Sequence, residues 1–319
     1  MKRLIPFLAL SLFACEKAEL PKPMTGSQSA NMYSVTMGSD YANQLFFELA
    51  TASVVAQNNR EIWDLGFESG VNGRNIVLNT SKLMALGKTA SQDLATVTSS
   101  SGITWTHDSQ RGMFDSTAFY NWQLNDVYII DRGNSVTGQP LGKVKMQLID
   151  HSATGYEVRW GALNATTGFH TMVIPKADAF NFTFFSFNNG GQIVSVEPEK
   201  DQFDLCFTSY THMFDDGTPY LVTGVIANRS EVRVLEADQE FDAVDYTYAT
   251  TVSFPVDLDI IGYDWKYYNF DLAIYTVDFS KVYVVKSVDE RYYKLRFLDF
   301  YDNGGSKGTP SFELQELTP

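Results

Sequence analysis

Few residues in this chain could do metal or nucleophile chemistry: four His and two Cys in 319 residues. Imidazole and thioether are ligands for borderline and soft transition metals. Two stretches put them in loop-like settings. His107 and Met113 bracket the polar run Asp108-Ser109-Gln110-Arg111-Gly112, and His212-Met213 stand just before the turn Asp215-Asp216-Gly217. His170 alternates with Met172 in a strand pattern and His151 precedes a turn at Gly155, so both read as packing or loop residues. This is too little material for a multi-ligand metal cluster. Nucleophilic and nucleotide chemistry lack their signatures, since the chain has no Cys-x-x-Cys, His-x-His, Walker loop or Gly-x-Ser-x-Gly elbow. A carboxylate pair could cleave glycosides. Groups such as Glu197, Glu199 and Asp201 are instead spaced for a solvated face, and 38 acidic residues produce pairs by composition alone. These residues predict no enzyme. A net charge of −14 argues against a nucleic-acid partner, which requires a basic face to displace phosphate counterions.

The two cysteines divide by position. Met1-Lys2-Arg3 is followed by an apolar run from Leu4 to Ala14 and then Cys15. A short basic region before such a run is a secretory signal, too short to span a bilayer as a mature helix. Leu12-Phe13-Ala14-Cys15 resembles the bacterial lipobox, in which the Cys is acylated and becomes the new N-terminus. We therefore expect a lipoprotein signal peptide over 1–14, lipid attachment at Cys15, and a flexible tether over 15–32, rich in Pro, Ser and charge. Cys206 is then a lone thiol without a disulfide partner. It lies in the strand-like Phe203-Asp204-Leu205-Cys206-Phe207 and reads as a buried structural residue.

Period-two alternation recurs along the chain, as in Lys143-Val144-Lys145-Met146-Gln147-Leu148 and Glu231-Val232-Arg233-Val234. Turn signals such as Asn72-Gly73, Asp216-Gly217 and Asn303-Gly304-Gly305 separate these runs. The pattern predicts an all-β protein of antiparallel hairpins. It also repeats. Trp63-Asp64-Leu65-Gly66-Phe67 matches Phe203-Asp204-Leu205-Cys206-Phe207, and Leu45-Phe46-Phe47 matches Thr183-Phe184-Phe185. Val127-Tyr128-Ile129-Ile130 matches Val282-Tyr283-Val284-Val285, and Ile149-Asp150 matches Leu298-Asp299. Four collinear matches point to internal duplication: two tandem antiparallel β-sandwich-like modules over 33–164 and 165–319.

The two Asp-Leu boxes, the ending Tyr292-Tyr293-Lys294-Leu295-Arg296-Phe297-Leu298-Asp299-Phe300-Tyr301 and the lipobox together resemble the HmuY family of Bacteroidetes surface lipoproteins, in a longer, two-copy form. The resemblance implies a lipid-anchored haem-binding protein for haem and iron acquisition. Such a protein takes haem, free or from haemoproteins, between extended hairpins and passes it to a TonB-dependent outer-membrane receptor. It also implies an outer-membrane, cell-surface location. Haem needs a flat apolar slot and one or two axial ligands. The second copy's hairpin, Asp264-Trp265-Lys266-Tyr267-Tyr268-Asn269-Phe270-Asp271, holds neither His nor Met. Candidate axial ligands are therefore His212 and Met213, after the second Asp-Leu box, and His107 and Met113, in the matching hairpin of the first copy. The alternative is a lipoprotein of the same fold that binds a glycan or a partner protein, with exposed Trp and Tyr stacking on sugar.

Overall fold

The computed structural model describes residues 30–319; Cys15, the leader and nearly all of the tether lie outside the described residues. Alternation becomes strand almost throughout. In chain order the strands are β1 (Asn31–Ser34), β2 (Asn43–Glu48), β3 (Ser53–Asn59), β4 (Leu65–Glu68), β5 (Ile76–Leu78), β6 (Ala85–Lys88), β7 (Val127–Asp131), β8 (Lys143–His151), β9 (Gly155–Ala162) and β10 (His170–Pro175). They continue with β11 (Phe182–Ser186), β12 (Gln192–Val194), β13 (Leu205–Met213), β14 (Pro219–Ala227), β15 (Arg233–Glu236), β16 (Lys266–Asn269), β17 (Ile274–Val277), β18 (Tyr283–Lys286), β19 (Tyr292–Tyr301) and β20 (Lys307–Leu317). A six-residue helix, α1 (Tyr246–Thr251), starts where the Asp245 side chain accepts from Tyr248 N at 2.7 Å.

Two sandwiches result. Sheet β10-β9-β8-β7-β6 packs on β12-β11-β4-β5, and sheet β1-β20-β19-β18-β15 packs on β14-β13-β2-β3. Inward-facing Phe67, Ile130, Met146, Val158 and Phe185 fill the first core. Phe47, Phe207, Val285, Phe297 and Phe312 help fill the second. The outward faces of the two four-stranded sheets meet each other, making a third core from Phe46, Trp63, Val77, Phe182, Phe184, Val196 and Phe203. Gly66 lies under it, where a Cβ would meet Val77 at 2.9 Å and the rings of Phe182 and Phe184 at 3.3 Å.

The repeats are tandem in sequence, but strand pairing is not. The β2–β3 hairpin belongs to the first repeat, yet β2 pairs with β13 of the second, Phe46 opposite Cys206. Reciprocally, β11 pairs with β4 of the first repeat, Phe184 opposite Gly66. Each repeat thus lends its opening hairpin to the other.

The Asp-Leu boxes explain what fixes this exchange. Asp64 N donates to Phe185 O at 2.8 Å, and Phe187 N donates back to Asp64 Oδ2 at 2.7 Å. In the second repeat Asp204 N donates to Phe47 O at 2.9 Å, and Leu49 N donates to Asp204 Oδ2 at 2.8 Å. Behind each Asp stands an Asn. Asn79 Nδ2 donates to Arg60 O and Trp63 O, and Asn228 Nδ2 to Lys200 O and Phe203 O. The matched boxes are buried clips that hold the neighbour repeat's hairpin, each satisfying backbone groups that burial would otherwise strand.

Candidate functional site

The repeats differ where function could lie. Strands β13 and β14 run nine residues each, against four and three in their counterparts β4 and β5. The second repeat's hairpin therefore projects further. A second hairpin, β16–β17, is inserted between β15 and β18 and stands outside the main sheets. Between the two hairpins opens a cleft of about 610 Å³. Its walls are aromatic: Phe214 and Tyr220 from one hairpin, Tyr267, Tyr268, Phe270 and Tyr275 from the other, with Tyr41, Tyr263 and Phe300 completing them. Phe270 is 86% exposed at the tip. Exposed rings of this number on one hairpin are unusual unless something covers them.

Two buried cations, Arg60 and Lys266, line the cleft. Lys266 Nζ donates to Thr223 O at 2.6 Å and lies 4.3 Å from the Trp265 ring centre and 4.6 Å from that of Phe300. Burial pulls its amine down to about 7, while nearby Asp264 works the other way.

None of the four sequence-derived ligand candidates lines this cleft, and His212 is the one that packs against residues that do. His212 is on β13 directly opposite Tyr220, a cross-strand pair that shares one face. Its ring meets Phe214 and Tyr263, both cleft residues, edge-on at 5.1 Å each. Its buried Nδ1 has no hydrogen-bond partner, with Asp259 Oδ2 4.0 Å away, and burial lowers its pKa. His107 is half-buried in the first repeat with Nδ1 2.9 Å from Met84 O, and burial lowers its pKa too. The hairpin expected around it is absent. Thr106 bridges to Leu86, and the chain then loops to a 3-10 turn at Phe114–Ser116, leaving Met113 exposed. The two candidate segments do meet, because Met213 N donates to Gln110 Oε1 at 3.1 Å.

The sequence reading gives the tyrosines a stacking role but does not weigh them as axial ligands. The run Tyr267-Tyr268-Asn269-Phe270 was visible, but it was weighed only for missing His and Met. Glu197 also departs from its expected solvated face. It turns inward, where its Oε1 accepts from Asn181 N at 2.9 Å and Phe182 N at 3.1 Å. Among the described residues no group of three His, Cys, Asp or Glu could hold a bare metal ion, and no helix is long and apolar enough to cross a membrane.

Fold and cleft together define a duplicated all-β protein with a concave aromatic site between two projecting hairpins. The chain belongs to the HmuY family, whose model matches it twice, over residues 40–174 and 178–314. Comparison with curated proteins gives no match. Among solved structures the chain is similar to apo PinO from Porphyromonas gingivitis, at 10% identity over 92% of this chain and 99% of that one, with a TM-score of 0.34. It is also similar to a protein named as HmuY-like and haem-binding from Bacteroides vulgatus, at 12% identity over 92% and 94% with a TM-score of 0.25. A third, named as a lipoprotein from Bacteroides fragilis, shows 19% identity over 52% and 91% with a TM-score of 0.23.

Proposed function

We propose that the protein binds haem in the aromatic cleft of its second repeat and presents it, from a lipid anchor at Cys15 on the outer membrane, to a TonB-dependent receptor. The cleft carries this reading. Its volume falls in the range of small-molecule sites, roughly 300–1,000 Å³, and its walls combine flat rings with the charged groups of Asp40, Arg60, Asp264 and Lys266. The donor set is distinctive. The lining offers phenol oxygens from Tyr41, Tyr220, Tyr263, Tyr267, Tyr268 and Tyr275, and no His, Met or Cys. A tyrosine oxygen is an established axial ligand type for haem iron. His212 flanks the cleft through its contacts with Phe214 and Tyr263, and is the imidazole placed to contribute if the hairpin tip shifts.

Haemin titration followed by absorption tests this. The parent should show a saturable Soret shift. Tyr220→Ala combined with Tyr268→Ala should weaken binding about tenfold or more, equivalent to about 1.4 kcal/mol. Tyr267→Phe and Tyr268→Phe keep the walls, so a changed spectrum at retained affinity identifies a phenolate ligand. A changed spectrum in His212→Ala or His107→Ala assigns an imidazole instead. No Soret shift in the parent would end the haem reading and move the glycan or protein-partner reading forward.

Cys15→Ser should release the protein from the membrane fraction or leave it unprocessed. Unaltered fractionation would count against Cys15 as the anchor.

A further inference from the structure

The third core, where the two sandwiches meet, is incompletely filled. Phe46, Trp63, Phe182, Phe184, Phe203 and Cys206 surround a cavity of about 170 Å³. It opens partly to solvent, so a small molecule can reach its rings. An apolar cavity of about 150 Å³ stays dry and accepts benzene or xenon. This one is not wholly apolar. Asp108, Glu197 and Arg229 also line it. Arg229 donates to Gly112 O, with its guanidinium 4.5 Å from the Phe114 ring centre and 5.6 Å from that of Phe182. Asp108 accepts from Leu78 N at 2.8 Å and Ala118 N at 2.7 Å. Burial pushes Glu197 up to about 7 and Asp108 up to about 6, so neither is a free surface carboxylate. Ring walls with a hydrogen-bonding margin suit a planar molecule with one polar edge.

We propose that this seam cavity is a second binding site, for a small aromatic molecule of about phenol to indole size bearing one hydrogen-bonding group. It is separate from the aromatic cleft, with which it shares only Ser209, and it stands whether or not the cleft takes haem. Cys206 supplies a built-in reporter. It lies on β13 opposite Phe46 and lines the cavity, and because burial raises its thiol pKa its slow modification is followed at mildly alkaline pH.

The test uses the mature chain with indole and benzene as probes. Indole should bind saturably with one equivalent, more tightly than benzene, and should slow modification of Cys206 by a small methanethiosulfonate about tenfold or more. Cys206→Leu fills the space and should abolish indole binding. Cys206→Ser keeps the volume and should retain it, which guards against a leucine variant that misfolds. Tyr268→Ala, in the cleft, should leave indole binding unchanged. The proposal is overturned by absence of saturable indole binding to the parent, by undiminished binding to a folded Cys206→Leu variant, or by a crystal structure in which ordered waters fill the cavity and indole fails to displace them.

Discussion

A fragment of residues 60–200 should fold alone, while a fragment of residues 30–175, cut between the two sequence repeats, should not. The first contains β4 to β12, which includes both sheets of one sandwich, its core and the Asp64 clip with its partners Phe185 and Phe187. The second lacks β11 and β12. It strands β4 without its central neighbour, removes Phe185 and Phe187 from the core, and leaves the β2–β3 hairpin without β13. Unpaired strand edges and a missing core strand favour aggregation over folding. The 60–200 fragment still exposes the seam rings Trp63, Phe182 and Phe184. It should therefore give a cooperative thermal transition and dispersed amide spectra, with self-association at high concentration. A cooperative transition in the 30–175 fragment would show that β2–β3 can fold back onto its own repeat's β4. The exchange would then be one of two accessible pairings.

That exchange marks where sequence reading stops. The strands and the duplication were legible, because alternation and the collinear matches are local properties. Leu45-Phe46-Phe47 and Thr183-Phe184-Phe185 are equivalent, however, so either hairpin satisfies either Asp-Leu strand. Which copy it joins depends on chain path and seam packing, and no residue pattern records those. The candidate site was half legible. The hairpin at 264–271 was singled out, and it does form one wall of the cleft. Its tyrosines count in the sequence only as stacking or ordinary strand residues, because a phenol ligand has no sequence mark until its exposure is known. Glu197 was misplaced because its neighbours Glu199 and Asp201 are exposed, and one inward turn breaks that inference.

The two clips should also differ sharply when neutralised, despite their equivalent positions. Asp64→Asn should destabilise the protein by about 3–5 kcal/mol, the usual cost of removing one partner from a buried ion pair. Lys82 Nζ sits 2.5 Å from Asp64 Oδ1 with both side chains fully buried, and Arg132 Nη2 lies 3.0 Å from Oδ2. Without the carboxylate, two cations lose their counter-charge and one of them has no route to water. Asp204 has no such cation among its contacts. It accepts from Leu49 N and Val288 N, both at 2.8 Å, and an amide oxygen can replace one of those acceptors. Asp204→Asn should cost about 1–2 kcal/mol, the price of one imperfect buried hydrogen bond. The pH dependence should separate them further. Burial alone would raise Asp64, but Lys82 and Arg132 outweigh it and hold its pKa below the ordinary value. Its stabilisation is therefore present above the unfolded carboxylate pKa of about 3.9 and is lost as pH falls through the folded value. Burial raises Asp204, with the backbone donors opposing it. Folding thus favours its protonated form, a contribution that is full in acid and fades as pH rises through the folded pKa. Denaturant titrations at neutral pH, near pH 4 and near pH 3 read this directly. Approaching and passing below pH 4, the penalty of Asp64→Asn should shrink while that of Asp204→Asn should grow. Equal penalties with the same pH trend would mean that the Lys82–Asp64–Arg132 contacts carry no net charge stabilisation, and that both aspartates act only as hydrogen-bond acceptors for the exchanged hairpins.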